Sequence, residues 1–179
     1  MKADSEPLTA VPTEAAAFDF DSIFRAEYSH IARVIARVVR DSARAEELAA
    51  EVFWKLSQTP GAQGANSSGW LYRTATRMAL DELRKQLRRK KYERLSSPGR
   101  ATRTPEEHHQ QAEAQDRVRL ILAGLKKTQA QLLILRSHGL TYDEIAQALD
   151  INPTSIGTLL RRAEEAFRKE YVRRYGQYQ

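Results

Sequence analysis

Residues 139–163, "GLTYDEIAQALDINPTSIGTLLRRA", contain the signals of two short helices joined by a tight corner. Thr141 comes just before the acids Asp143 and Glu144, so its hydroxyl is suited to cap a helix whose first turn is acidic. Asp150 stands at the corner, where aspartate is among the few residues besides glycine that tolerate a positive φ. The stretch is therefore typical of a helix-turn-helix.

The second helix of this stretch begins at Asn152 or Pro153, because proline is comfortable in a first turn. Ile156 and Leu160 lie four residues apart and anchor one face of it. The outward positions carry hydroxyls near the start and arginines a turn later, which suits contact with phosphates and base edges. An ordinary helical hairpin without a DNA role is the alternative interpretation. We predict DNA contacts by Pro153, Thr154, Ser155, Thr158, Arg161 and Arg162.

The composition favours an anionic partner. The 179 residues include 29 Lys and Arg against 23 Asp and Glu, a net charge of +6, and the pI is about 9.7. Such a balance places nucleic acid ahead of a membrane surface as partner. There is no cysteine, which excludes disulfides and thiolate metal sites, and no apolar run approaches the length of a membrane span. We expect a cytoplasmic protein without membrane insertion.

Helical periodicity recurs along the chain, whereas sustained alternation of apolar and polar residues is absent. Apolar stripes predict helices over 21–40 and 43–57, and a third from Ser67 or Ser68 to about Tyr92. The fold class is all-α, with two small helical domains joined by a flexible linker that contains Pro98, Gly99 and Pro105. We divide the chain into a disordered tail (1–17), a three-helix domain (18–94), a linker (95–115), a helix-turn-helix domain (116–172) and a second tail (173–179).

Three segments together resemble the extracytoplasmic-function sigma factors, small promoter-recognition subunits of bacterial RNA polymerase. "AEELAAEVFWKL" (45–56) and "GWLYRTATRMALDELRKQLRR" (69–89) are similar to sigma region two. "GLTYDEIAQALDINPTSIGTLLRRAEEAFRK" (139–169) is similar to region four. The resemblance covers about residues 20–92 and 116–170, with a linker where the family has one. It implies the three-helix and helix-turn-helix domains expected above.

The resemblance also implies a division of labour between the two regions. In the family, region two docks on a coiled coil of the largest polymerase subunit and captures the melted −10 strand, while region four binds the duplex −35 element. The acidic helix is then a polymerase contact, for which a solvated acidic face is the alternative. The polymerase-binding residues implied are Glu46, Glu47, Glu51 and Phe53.

The third helix is the candidate for capture of the −10 strand. Trp70 suits stacking on an unpaired base, and Arg73 and Arg77 lie one turn apart along a phosphate track. Seven of the eleven residues from Arg84 to Arg94 are basic. A core position for Trp70 and a solvated helix end for the basic run are the alternatives. The predicted −10 contacts are Trp70, Arg73, Arg77, Arg84 and Arg88.

Several positions depart from the family pattern. Met78 stands where the family commonly has Asn, and Gly157 and Leu159 stand where it often has Lys and Arg. Methionine lacks the hydrogen bonds of an amide, and two fewer cations weaken attraction to the backbone. We therefore predict a divergent promoter with weaker −35 dependence. Smaller departures are Glu47 for Asp, Ala50 for Gln and Lys126 for Pro.

Two other functions remain open at this stage. One is a sigma-like regulator that binds polymerase or DNA but no longer initiates transcription, and the other is a helical adaptor for an acidic protein. Catalysis, a metal site and a cofactor are not expected, because the four histidines lack ligand spacing and no phosphate-binding loop is present. Many family members are held inactive by an anti-sigma factor wedged between the two domains, and the linker permits such a partner here.

Overall fold

The computed structural model describes residues 18–96 and 106–176, which form seven α-helices and one short 3₁₀ turn at Pro60–Ala62, without a strand. The all-α prediction is confirmed. The predicted tail at 1–17 and most of the region around Pro98 and Pro105 lie outside the described residues. The helices are α1 (Phe20–Val39), α2 (Ser42–Ser57), α3 (Ser67–Ser96), α4 (Glu106–Gly124), α5 (Lys127–Ser137), α6 (Tyr142–Leu149) and α7 (Pro153–Tyr175).

Local signals set the ends of the first two helices. Asp19 accepts a hydrogen bond from the backbone N–H of Ser22 at 3.0 Å and caps α1. The α1 helix ends at Val39, and the C-cap residue Arg40 has a left-handed φ of 57°. Asp41 then caps α2 by accepting from the N–H of Arg44 at 3.0 Å. Both helices begin and end within one residue of the predicted bounds.

The bounds of α3 and α4 differ from the sequence prediction. The α3 helix runs to Ser96, four residues past Tyr92, because the Arg, Lys, Glu and Leu residues at its end are strong helix formers. The α4 helix begins at Glu106, inside the segment expected to be linker. Its first turns, "EEHHQQAEAQ", have no apolar stripe, so the periodicity that marks a helix starts only near Val118.

The first three helices form a three-helix unit around a continuous apolar core. Its largest fully buried side chains include Ile31 and Ile35 of α1, Leu56 of α2, and Leu71 and Leu80 of α3. The inward spacing of three and four residues along each helix accounts for this packing. The unit lies almost entirely within the first half of the sequence.

The second half packs directly against this unit. Ile121 of α4, Leu125 just after this helix and Ile134 of α5 belong to the same hydrophobic cluster as the α1–α3 core. Gly69 of α3 lies beside α6, where an added Cβ would approach the carbonyl of Gln147 to 3.2 Å. Such close contact explains why glycine stands at this position. The sequence indicated two units on a tether, and their mutual packing was not foreseen.

A buried arginine ties the two halves together. Arg119 of α4 is 7% exposed, and its guanidinium donates to the carbonyls of Val38 at 3.0 Å and Val39 at 3.1 Å. The same group donates to the Gln86 side-chain oxygen at 2.7 Å and pairs with Asp116 at 3.2 Å. These bonds satisfy carbonyls at the end of α1 that the helix itself leaves free.

Candidate nucleic-acid interface

The helix-turn-helix has the local geometry that its sequence indicates. The Thr141 hydroxyl accepts from the N–H of Glu144 at 3.3 Å, and the Glu144 carboxylate accepts from the N–H of Thr141 at 2.7 Å. This reciprocal capping box lowers the pKa of Glu144 through the hydrogen bonds that the Thr141 backbone and hydroxyl donate to it. Asp150 has φ of 57° at the corner. The predicted cap and the predicted positive φ are both confirmed.

The start of α7 presents the six predicted DNA-binding residues, which we call the recognition face. Asn152 caps the helix by accepting from the N–H of Thr154 at 3.0 Å, and Pro153 occupies the first turn. Ile156 and Leu160 are buried and hold α7 against α6. All six side chains of the face are exposed except that of Ser155, which is half-buried.

The polar groups of the recognition face make local contacts with neighbouring residues of the same helix and its cap. The Thr154 hydroxyl donates to the Asn152 side chain at 2.7 Å, and Arg161 pairs with Glu165 at 2.6 Å. Both side chains of that ion pair are more than half exposed, so a phosphate can compete with the carboxylate at little cost. A contact that the sequence did not reveal is the stacking of Arg136 over the Tyr142 ring, 5.4 Å from its centroid.

A second basic surface surrounds a cavity of about 660 Å³ on α3, which we call the α3 cavity. Trp70, Arg73 and Arg77 line it together. Met78, one of the departures from the family pattern, also lines it. Other helices also contribute lining residues. The sequence did not identify them, because the spacing of residues along α3 carries no information about neighbouring helices. The additional lining residues are Lys55 and Thr59 at the end of α2 and Lys127 and Gln131 of α5.

The two other predicted −10 residues lie apart from the α3 cavity. Arg84 is half-buried and donates to the carbonyls of Ala123 at 3.1 Å and Leu125 at 3.3 Å. In this arrangement its guanidinium is engaged at the end of α4 and does not face a DNA track. Arg88 is exposed and lines a separate groove with Lys90 and Lys91.

The acidic face of α2 is exposed, but its carboxylates already have partners. Glu46 accepts from the Tyr28 hydroxyl at 2.7 Å, a hydrogen bond that raises the pKa of Tyr28. Glu47 pairs with Arg44 at 2.7 Å and Glu51 with Lys55 at 3.2 Å. These exposed pairs exchange readily with arginines of a partner.

Phe53 requires a correction to its predicted place on this face. It is 2% exposed and packs against the rings of Phe20, Phe24 and Tyr28. A buried ring cannot contact polymerase directly, so its part in this structure is to hold α2 against α1. The exposed aromatic residue of the helix is its neighbour Trp54, which is 61% exposed. The helical period places the two rings on different faces.

In the part of the chain that the structure describes, no helix combines the length and apolar character that crossing a membrane requires. What the described helices do present is an exposed helix-turn-helix and a separate basic cavity. The described residues thus have the architecture of a helical protein of the helix-turn-helix class.

Comparison with known proteins identifies the family. The model of sigma-70 region 2 matches residues 23–89, and the model of sigma-70 region 4 matches residues 115–167. The two regions occur in this order and together span about two thirds of the sequence. The chain therefore belongs to the sigma-70 family, and its predicted resemblance to the extracytoplasmic-function type is confirmed.

Individual relatives agree in length. The chain is 28% identical over 175 residues to the ECF RNA polymerase sigma factor SigK of Mycobacterium ulcerans, covering 92% of this chain and 93% of the relative. It is 25% identical over 166 residues to the ferric citrate uptake sigma factor FecI of Escherichia coli, covering 89% and 96%. Among solved structures, the sigma factor RpoE in complex with the anti-sigma factor NepR from Bartonella quintana matches with 18% identity and a TM-score of 0.48, covering 88% of this chain and 98% of that one.

Proposed function

We propose that this protein is a sigma factor of the extracytoplasmic-function type, which binds core RNA polymerase and directs transcription initiation at specific promoters. The observation that carries the proposal is the pairing of regions 2 and 4 on one chain, with an exposed recognition face on the second. The chemistry of RNA synthesis then belongs to the polymerase. Because polymerase and promoter DNA lie in the cytoplasm, we place the protein there.

Each surface takes one task in this proposal. The recognition face of α7 contacts the duplex −35 element, where exposed hydroxyls and arginines approach phosphates and base edges. The α3 cavity receives an unpaired base of the −10 strand on Trp70, with Arg73 and Arg77 on its backbone. Glu46, Glu47 and Glu51 pair with arginines of the polymerase coiled coil beside the exposed ring of Trp54.

Reconstitution with core polymerase tests the proposal. We expect the purified chain to bind bacterial core enzyme and to support run-off transcription from a promoter selected from a random DNA library. A variant with Glu46, Glu47 and Glu51 changed to Gln keeps the size of each side chain and loses the charge, so it should bind core enzyme more weakly. Failure of the folded wild-type chain to bind core enzyme would refute the assignment.

A second candidate is a sigma-like regulator that binds polymerase without initiating transcription. Met78 in the α3 cavity and Gly157 on the recognition helix favour it, because both remove groups that family members use toward DNA. Binding to core enzyme without any run-off product would support this alternative. Restoration of product by Met78→Asn would show that the departure at this position is the cause. An anti-sigma partner remains a prediction.

A further inference from the structure

A second, smaller cavity has no role in promoter binding as proposed above. It measures about 280 Å³ and lies between α1, α3 and the turn after α5. His30, Arg33 and Arg37 reach it from α1, and His138 from the second unit. Tyr72 of α3 completes its polar lining, and none of the described residues that line it carries a carboxylate. We call this cavity the basic cleft, and both units of the molecule are needed to build it.

The walls of the basic cleft strengthen the field of its charged groups. Val34 and Leu140 line it and are buried, so one side of the cleft is apolar. Charges beside such a surface are less screened than charges surrounded by water. The guanidinium groups of Arg33 and Arg37 beside one apolar wall therefore attract an anion more strongly than the same groups spread over the surface.

The hydrogen-bond donors of the basic cleft still have capacity for further acceptors. One N–H of Arg37 donates to the carbonyl of Ser137 at 3.1 Å, which holds this guanidinium against the second unit. Arg33 is exposed and has neither a hydrogen bond nor an ion pair with any described residue. The Nε2 atom of His138 is buried and meets no hydrogen-bonding group of the described chain. Buried polar atoms of this kind normally have a partner.

The nearby acids do not neutralise this cluster. Glu27 accepts from the Ser68 hydroxyl at 2.8 Å and interacts with the Tyr72 hydroxyl. Burial, followed by Glu27 and Glu144, raises the pKa of Tyr72 to about 12, whereas Arg33 opposes that rise. Burial and then the positive charges of Arg37 and Arg33 lower the pKa of His138 to about 4. The carboxylates therefore act at the Tyr72 end, and positive charge dominates around His138.

We propose that the basic cleft binds a small phosphate-class oxyanion, free or as the phosphate group of a nucleotide, through Arg33, Arg37 and His138. Guanidinium groups match phosphate oxygens with parallel N–H donors, and an imidazole adds one donor more. Since α1 and the turn after α5 both contribute, the bound anion also stabilises the packing of one unit on the other. This inference goes beyond the proposed function and does not depend on it.

Calorimetric titration of the full chain at pH 7, with ionic strength held constant by chloride, tests the proposal. The two probes are inorganic phosphate and adenosine monophosphate, whose common group is the phosphate. We expect saturable binding of one equivalent and a higher thermal midpoint. Changing Arg33 and Arg37 together to Gln should weaken binding by about a hundredfold, at roughly tenfold for each charge-assisted contact. Arg25→Gln, on the same helix but outside the cleft, is the matched control and should bind as the wild type does.

A histidine titration followed by NMR gives a second readout, which also works if the double variant folds poorly. A bound anion should raise the pKa of His138 from about 4 toward or above its ordinary value of 6.5, because it compensates the two guanidinium charges. Arg33→Gln alone, which breaks no bond of the described structure, should reduce that rise. Binding of the nucleotide but not of free phosphate would identify the nucleotide as the source of the phosphate group. Absence of binding by both probes, or equal binding by the Arg33 and Arg25 variants, would overturn the proposal.

Discussion

The recognition face of α7 and the α3 cavity both carry predicted DNA contacts, but the fold leaves them in different states. On α7, Thr154, Thr158 and Arg162 are exposed, whereas Ile156 and Leu160 are buried in the core. On α3, the second unit already packs against the region that carries the predicted residues. The carbonyl of Arg73 accepts from Gln131 of α5 at 3.3 Å, and the side chain of Gln131 is buried against α3.

Under the proposed function, this difference follows from the form of DNA that each surface binds. A duplex is approached from outside, so one exposed helix face with a firm anchor is sufficient. An unpaired base needs a pocket with a stacking surface, and a pocket requires walls from several helices. The first kind of site is encoded within one stretch of sequence. The second depends on packing between distant elements, which here includes α5.

The largest effect is expected from a variant that weakens the packing of the second unit against the first. Arg119→Ala removes the donor to two buried carbonyls and to Gln86, and each unsatisfied buried acceptor costs about 1–3 kcal/mol. We expect the free energy of unfolding to fall by about 3 kcal/mol in urea denaturation. Arg162→Ala on the exposed face should change it by less than about 0.5 kcal/mol. If both variants lost a similar amount of unfolding free energy, the contrast between the packed region and the exposed recognition face would be wrong.

The variant Trp70→Ala should affect the binding of only one of the two DNA forms, and so distinguishes the α3 cavity from the recognition face. Loss of a stacking ring should weaken binding of a single-stranded oligonucleotide by about 2 kcal/mol, within the range found for stacked bases. Binding of duplex DNA should be unchanged, since the recognition face is untouched. Fluorescence anisotropy with both DNA forms measures the two affinities. Trp70→Phe, which keeps an aromatic face, should retain most of the single-strand affinity, and equal losses for both variants would argue for a structural role only.

The pH dependence of stability probes the junction between the units through His138. Its pKa in the folded chain is about 4, against 6.5 ordinarily, so between these values the unfolded chain binds a proton that the folded chain does not. Stability should therefore rise as pH increases from 4 to 6.5, by about 1.5 kcal/mol after allowance for partial exposure. His138→Gln should flatten this part of the curve. The pKa of Glu170, lowered from 4.5 to about 2 chiefly by the hydrogen bond from Arg173, makes stability fall mainly below pH 4.5 and so overlaps only the lower edge of that window.

The smallest effect concerns the backbone of the recognition helix. Gly157 is helical, and a Cβ there would meet the Tyr142 ring at an ordinary 3.6 Å. Gly157→Ala should thus stabilise the protein by about 0.5–1 kcal/mol, through the reduced entropy of the unfolded chain. Gly139→Ala is the contrasting variant: its φ of 86° is left-handed, so alanine should destabilise the protein. Thermal denaturation measures both, and a loss of stability for Gly157→Ala would show strain at this position.

The two surfaces also differ in how far the sequence predicts them. Every decisive signal of the helix-turn-helix acts within four residues, as with Thr141 on Glu144 or Asn152 on Thr154, so it can be recognised along the chain. The place of Arg119 depends on carbonyls 80 and 81 residues away, and no periodicity encodes that contact. The burial of Phe53 and the exposure of Trp54 could be predicted only in part. The helical period separates the two rings, but only packing decides which one faces the core.

The distance along the chain between Arg119 and its acceptors has a consequence during synthesis. The ribosome delivers α1 first, and the carbonyls of Val38 and Val39 stay hydrated until a further 80 residues have been added. At ordinary elongation rates this takes on the order of ten seconds. Once α3 has been added, the first unit is complete before Arg119 is synthesised, and its future contact surface is then open to water and to any polymerase nearby.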